Sequence, residues 1–181
     1  LRRGMASIGV EKANQILLYD QLMDSNSLFL TGNTDTVYAI GMLDLKRDGP
    51  MVVEIPPGAG PGTVNDAYFR FVTDMGPPGP DRGKGGKYLL LPPNHEGEVP
   101  DGYFVAESPT YVNWLPLRGF LKDGKTDDAV RMWTEGLRVY PLSEAANPPK
   151  LEVVSGTGKV MNTIHANDYT FFEEIDEVIQ R

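Results

Sequence analysis

Short runs of β-branched and aromatic residues recur along the first two thirds of the chain, and Gly, Pro, Asn and Asp separate them. Short strands joined by such turns are typical of all-β folds, whereas a parallel sheet would need a helix between most strands. The pattern therefore predicts a mainly β fold, an antiparallel β-sandwich with a few peripheral helices. The six predicted strands span residues 36–43, 51–55, 67–73, 87–91, 103–106 and 110–121. Pro116 indicates an edge or a bulge in the last of them.

Two helices are clearly indicated in the last third of the chain. The first begins after Thr126 and ends at Pro141, and its apolar face consists of Ala129, Met132, Trp133, Gly136 and Leu137. The second begins at Asp168 or at Thr170, where Glu173 completes a capping box. Its apolar stripe, formed by Phe171, Phe172, Ile175, Val178 and Ile179, continues to the chain end. We expect this stripe to pack on a partner.

Three further elements follow from shorter patterns. Apolar residues such as Val10, Ala13 and Leu17 predict a helix over residues 10–23. Residues 28–30 form a short apolar run and are expected to be buried. Residues 151–154 and 159–161 flank a Ser-Gly-Thr-Gly segment, which predicts a hairpin.

The composition is that of one globular domain and narrows the function classes. The net charge of −8 argues against nucleic acid as a partner, because an acidic chain repels phosphates. The absence of cysteine excludes disulfides, thiol nucleophiles and zinc fingers. No apolar run approaches the roughly 20 residues of a membrane span, and no signal peptide is visible. The chain begins with Leu1 rather than Met, so we expect a fragment or a processed form of a longer protein.

The glycine-rich segment 76–87 does not have the properties of a phosphate-binding loop. Its spacing is one residue short, no Ser or Thr follows Lys84, and a strand rather than a helix comes next. The segment predicts a long, flexible, partly ordered loop, and such loops are often functional. Arg82 and Lys84 are candidates for binding a carboxylate there, or they form a solvated surface.

Polar residues near two predicted strands are further candidates. Asp35 and Tyr38 either belong to a turn or face a ligand at the rim of the sheet. In the predicted strand 67–73 and just before it, alternation places Asp66, Tyr68 and Arg70 on one face. Arg70 is expected to form a buried pair with Asp66 or with Asp35, and the pair serves either the structure or a binding site.

His165 lies in a polar stretch just ahead of the last helix, and it is the most interesting of the two histidines. One interpretation makes His165 a general base that Asp168 orients. The other makes Asp168 or Asn167 a helix cap and His165 a hydrogen-bonded residue of the structure. No nucleophile elbow and no zinc-binding helix motif are present. Two histidines cannot build a His-rich metal centre, although carboxylates can hold Ca²⁺ or Mg²⁺, and the residues name no cofactor.

Ordered motifs along nearly the whole chain resemble the amino-terminal domain of a bacterial family called domain of unknown function 1254. The motifs are residues 33–38 (NTDTVY), 43–45 (LDL), 49–56 (GPMVVEIP), 79–88 (GPDRGKGGKY), 97–103 (GEVPDGY), 108–110 (SPT), 117–121 (LRGFL), 140–143 (YPLS) and 162–168 (NTIHAND). The resemblance implies a jelly-roll sandwich, a location in the periplasm or cell envelope, and a second sandwich domain (domain of unknown function 1214) beyond this chain. It transfers no catalytic residues.

Two functions remain open on this basis. One is a non-enzymatic envelope module that binds a small-molecule ligand or assembles into homo-oligomers, for which the unpartnered stripe of the last helix is the motive. The other is a hydrolase-like enzyme acting on a small polar substrate, with His165 as base and Asp35, Tyr38 and Arg70 as substrate contacts.

Overall fold

Two packed sheets form the body of the protein. The computed structural model describes residues 1–29 and 32–180. The helices are α1 (Arg2–Ser7), α2 (Leu45–Asp48), α3 (Asp127–Gly136) and α4 (Thr170–Ile179), with a 3₁₀ turn at Leu142–Glu144. The strands are β1 (Gln15–Leu18), β2 (Ser27–Leu28), β3 (Thr36–Asp44), β4 (Met51–Ile55), β5 (Gly62–Asn65), β6 (Phe71–Met75), β7 (Gly86–Leu91), β8 (Phe104–Glu107), β9 (Val112–Phe120), β10 (Arg138–Pro141), β11 (Glu152–Ser155) and β12 (Met161–Asn162).

The fold is mainly β, as the sequence predicted. One sheet has the strand order β11-β1-β3-β9-β5-β6, the other has the order β10-β4-β7-β8, and β12 pairs with β2. Apolar side chains of the two larger sheets meet in the main core, with Val37 and Leu115 from one sheet and Val53 and Leu90 from the other. Most neighbours are antiparallel, but β1–β11, β7–β8 and β2–β12 are parallel. The jelly-roll connectivity stays a prediction.

The strands predicted from local composition are confirmed where β3, β4, β7, β8 and β9 form. The edge or bulge expected at Pro116 is wrong, because β9 lies between β3 and β5 inside the larger sheet and keeps an unbroken register with β3. Pro116 stands opposite Ile40 of β3 in an otherwise continuous antiparallel register. Pro116 has no N–H to donate, but the residues on either side of it keep β9 paired with β3.

The helix predicted for residues 10–23 is wrong. The chain instead forms β1, whose four residues are all buried between β3 and β11. Ile16 and Leu18 join the main core, whereas Leu17 joins a second apolar cluster on the opposite face of the sheet. A short run that is apolar on both faces does not distinguish a buried strand from a helix. Burial of both faces of β1 decides between them.

The predicted pairing and bounds of two other segments are also wrong. Residues 67–70 form a turn between β5 and β6 rather than the start of a strand. The segments 151–154 and 159–161 do not form a hairpin, because β11 pairs with β1 and β12 pairs with β2, both in parallel. The first partners lie more than 130 positions away in the chain, so the local turn signal did not reveal them. In the run 28–30, Leu28 is exposed, and Leu30 lies outside the described residues.

The two predicted C-terminal helices are present: α4 begins at Thr170, one of its two predicted starts, whereas α3 ends earlier than predicted. The first, α3, begins after Thr126, whose hydroxyl donates to the carbonyl of Asp20 instead of capping the helix, and it ends at Gly136, well before Pro141. The second, α4, has no buried residue, and its Phe172, Ile175 and Ile179 side chains are exposed.

Ion pairs join α4 to α1. Arg2 pairs with Glu177 at 3.3 Å and Arg3 pairs with Glu174 at 3.2 Å. Such exposed pairs contribute little, on the order of 1 kcal/mol or less each. Within the apolar stripe of α4, Phe171 and Val178 are half-buried, whereas Phe172, Ile175 and Ile179 remain exposed.

Candidate functional site

The outer face of the six-stranded sheet carries a cluster of aromatic rings. Alternation places Tyr38 of β3 and Trp114 of β9 on the face opposite the main core, where they join the second apolar cluster. Phe29 packs against both, with ring centroids 6.4 Å from Tyr38 and 5.9 Å from Trp114. These rings form a wall over the sheet.

A tight turn between β5 and β6 brings a fourth ring to this wall. The buried carboxylate of Asp66 accepts hydrogen bonds from the backbone N–H groups of Tyr68 and Arg70 at 2.9 and 2.8 Å. Its other oxygen accepts from Arg70 Nε at 2.7 Å. The pair predicted between Asp66 and Arg70 is confirmed, although the Arg70 side chain is 60% exposed. The pair stabilises a turn.

Phe69 at the end of this turn has an unusual backbone and an exposed ring. Its φ of 64° is in the left-handed region, which costs a non-glycine residue on the order of 1 kcal/mol or more. The side chain is 65% exposed, and its ring lies 4.9 Å from that of Trp114. Strain of this kind concentrates at ligand clamps and switches. The sequence did not reveal Phe69, because a strand through residues 67–73 would have turned it towards the core.

Two cavities meet at Phe69 and Trp114, and we call them together the aromatic groove. The first, of about 280 Å³, lies among α1, α4, the segment 162–165 and the turn at Asp66. The second, of about 430 Å³, lies along β3, β5, β6 and β9 and includes Phe29 and Tyr38 in its wall. Together they have the size of an ordinary small-molecule site, roughly 300–1,000 Å³.

Polar side chains line the second cavity beside the rings. They are Thr63, Asn65, Asp74 and Arg118. The Arg118 guanidinium lies 5.5 Å from the centroid of the Tyr38 ring. Within residues 1–29 and 32–180, neither Asp74 nor Arg118 has an ion-pair partner. One acidic and one basic group are thus available in the same cavity.

Of the two residues predicted at the sheet rim, Tyr38 lines the groove and Asp35 does not. Asn33, rather than Asp35, sets the turn, since its Oδ1 accepts from the N–H groups of Asp35 and Thr36 at 2.9 and 3.0 Å. Asn33 also donates from Nδ2 to the Tyr38 hydroxyl at 2.7 Å. Asp35 is exposed, and its role in substrate binding stays a prediction.

The exposed ring of His165 lines the first cavity, as does Asp66. Its Nδ1 lies 2.7 Å from the Ala166 carbonyl oxygen. Since a carbonyl only accepts, Nδ1 donates there and Nε2 is the basic nitrogen of the neutral ring. Asp168 has a different partner: its carboxylate accepts from the Thr170 N–H at 2.9 Å at the start of α4. Hydrogen bonding by Thr170, first through its side chain and then through this N–H, lowers the pKa of Asp168. A catalytic role for either residue stays a prediction.

The glycine-rich loop is fixed by Asp81, a residue that the sequence interpretation passed over. Its buried carboxylate accepts from the N–H groups of Gly76, Gly83 and Gly85 at 2.8, 3.0 and 3.1 Å, and from the Tyr88 hydroxyl. Burial first, and then this hydrogen bond, raise the pKa of Tyr88. These bonds order the loop, contrary to the partial order expected of it.

Arg82 and Lys84 extend from this loop into solvent. Neither lines the two cavities of the aromatic groove. Carboxylate binding by these two residues stays a prediction.

Comparison with known proteins identifies the family. The family model "Protein of unknown function (DUF1254)" matches residues 13–141. The chain belongs to the DUF1254 family. The match includes β1 and extends to the end of β10, so it contains Tyr38, Phe69, Trp114 and Arg118 of the groove. The polar stretch 162–168 of this DUF1254 chain lies outside the matched residues.

A solved structure has the same fold as this DUF1254 chain. It is the crystal structure of the VPA0106 protein from Vibrio parahaemolyticus, which is 22% identical and superposes with a TM-score of 0.59. The match covers 83% of the DUF1254 chain but only 37% of the Vibrio protein. None of the curated proteins compared with the chain matches it.

Two further kinds of feature are absent from the part of the chain that the structure describes. No helix there is long and apolar enough to cross a membrane. No group of three or more His, Asp or Glu side chains there is placed to hold a metal ion.

Proposed function

We propose that this DUF1254 chain is a ligand-binding module of the cell envelope, and that its small-molecule ligand lies in the aromatic groove. The position of Phe69 carries this proposal. An exposed ring on a left-handed backbone is unfavourable twice, through strain and through exposed apolar surface. Asp66 nevertheless holds it at the junction of two cavities. A ligand that packs on the ring would repay both costs.

The envelope location, a homo-oligomer and a second sandwich domain are parts of the same proposal. Exposure of Phe172, Ile175 and Ile179 on α4 supports an assembly surface that a second copy of the chain covers. Light scattering of the purified protein measures its mass in solution. A monomer at every concentration would remove the oligomer from the proposal without affecting the groove.

Ligand binding should raise the melting temperature of the protein. A ligand at 100 times its Kd adds about 2.7 kcal/mol to the free energy of unfolding, which is roughly 5–10 °C for a chain of this length. Thermal shift is measured with neutral sugars, sugar acids, dicarboxylates, amino acids and nucleosides at millimolar concentration. At least one compound should stabilise the wild type.

Phe71 provides a matched control for Phe69. Its side chain is 66% exposed, against 65% for Phe69, but it lines neither cavity. The stabilisation should persist in Phe71→Ala and shrink in Phe69→Ala. If no compound in the panel stabilises the wild type, or if both variants respond as the wild type does, the proposed function is wrong.

A hydrolase is the second candidate function, and the cavity beside His165 favours it. The ring is accessible and its Nε2 is the basic nitrogen, as a general base requires. On this hypothesis His165→Asn lowers the hydrolysis of p-nitrophenyl acetate by about 100-fold or more, whereas His95→Asn, at the other histidine, leaves it unchanged. Wild-type turnover no faster than buffer, or equal loss in both variants, would eliminate the enzyme.

A further inference from the structure

We infer that the ligand of the aromatic groove is a neutral oligosaccharide, an inference that rests on the proposed function above and narrows it to one ligand class. The inference combines the geometry of the rings with the set of polar groups next to them.

The rings form a stepped surface rather than a slot. The interplanar angles are 30° for Phe69–Trp114, 61° for Phe29–Trp114 and 73° for Phe29–Tyr38. A flat heterocycle sandwiched between two rings needs parallel faces, and none of these three ring pairs is parallel. Sugar rings have apolar C–H faces, and successive sugars of an oligosaccharide differ in orientation. Such a chain can pack on faces that are inclined to one another.

The polar groups suit hydroxyls better than a charged ligand. Asp74 only accepts, Arg118 only donates, and Asn65 does both. The Thr63 hydroxyl donates to the Thr73 carbonyl at 3.2 Å, so its oxygen is left to accept from a ligand. A sugar hydroxyl also donates and accepts, so it can satisfy every member of this set. A phosphate or a dicarboxylate would meet the negative charge of Asp74 with only one arginine to offset it. The opposite charges of Asp74 and Arg118 therefore favour a neutral ligand.

The position of Phe69 between the cavities fits a ligand longer than one ring. The second cavity of about 430 Å³ and the first of about 280 Å³ share Phe69 and Trp114. A trisaccharide that crosses this junction would pack one ring on Phe69, whose face is accessible. The polar side chains of the second cavity would then bind the hydroxyls of its neighbour.

Isothermal titration calorimetry on the whole chain tests the inference. The sugar probes are maltotriose, cellotriose, xylotriose and tri-N-acetylchitotriose, and the comparison probes are trigalacturonic acid, succinate, adenosine and tryptophan. We expect at least one neutral trisaccharide to bind more tightly than every comparison probe. Phe69→Ala should weaken that binding by about tenfold or more, and Phe71→Ala should leave it within about twofold.

Two substitutions examine the polar groups of the groove without removing a ring. Asp74→Asn and Arg118→Gln should each weaken the binding of the trisaccharide by roughly three- to tenfold. Circular dichroism confirms that the variants are folded.

The outcomes separate the two proposals. Binding of only adenosine, tryptophan, succinate or trigalacturonic acid, lost in Phe69→Ala, would overturn the neutral sugar and retain the ligand-binding function. Binding of a trisaccharide that is unaffected by Phe69→Ala, Asp74→Asn and Arg118→Gln would also overturn it, because the sugar would then bind elsewhere. Absence of binding by every probe in calorimetry and thermal shift would overturn both proposals.

Discussion

Asp81→Ala should lower the free energy of unfolding by about 3–5 kcal/mol, since three backbone N–H groups and the Tyr88 hydroxyl lose their acceptor. Each buried donor left without a partner costs about 1–3 kcal/mol, reduced where water can enter. The donors converge on one carboxylate from Gly76, Gly83, Gly85 and the first residues of β7. Its loss should therefore loosen the whole loop. Urea denaturation measures the change.

Two further variants make this prediction specific. In the wild type, each carboxylate oxygen of Asp81 accepts two hydrogen bonds. Asp81→Asn keeps the shape of the side chain but has only one accepting oxygen. Asp81→Asn should therefore lower the free energy of unfolding by roughly half as much as Asp81→Ala does. Asp101→Ala, at an exposed aspartate, should change the free energy of unfolding by less than about 0.5 kcal/mol. If Asp81→Ala and Asp101→Ala are equally stable, the carboxylate does not hold the loop.

Gly76→Ala should cost about 3 kcal/mol or more, because two independent penalties add. Gly76 has a φ of +75°, and a Cβ there would lie 2.3 Å from the carbonyl oxygen of Gly60. Gly60 cannot move aside easily, since a Cβ on it would in turn lie 2.1 Å from the Arg118 carbonyl oxygen of β9. The backbones at these three residues are thus stacked in direct contact. Thermal or urea denaturation measures the loss.

Gly58→Ala separates strain from the clash. Gly58 has a φ of +79°, close to that of Gly76, but nothing lies within 4 Å of the position of its Cβ. Gly58→Ala should lower the free energy of unfolding by only about 1 kcal/mol, which is the cost of an alanine with a left-handed backbone. Equal losses in Gly58→Ala and Gly76→Ala would mean that the contact with Gly60 contributes nothing.

The candidate site was only partly predictable from the sequence. The pair between Asp66 and Arg70 was expected, because alternating charged residues near a strand require partners. The position of Phe69 was not expected. The pair closes a turn and thereby fixes Phe69 against Trp114. Tyr38 was expected at a rim and lines the groove. Arg118 and Asp74 gave no signal, because single charges on strands are ordinary in any sequence.

Local chemistry in the sequence determined the mainly β class, the strands β3, β4, β7, β8 and β9, and the existence of α3 and α4. These elements depend on side-chain preferences, helical periodicity and turn residues, all of which act over a few positions. The motifs within residues 13–141 likewise sufficed for the family.

The tertiary structure alone decided which distant segments meet. Residues 15–18 are a strand because their edges pair with β3 and β11 and both of their faces are buried in apolar clusters, and β11 lies more than 130 positions away. The aromatic groove exists because β3, β5, β6 and β9 bring rings and charges from positions 29 to 118 onto one sheet face. Pairing across such separations depends on the packing of the whole chain, and local patterns do not encode it.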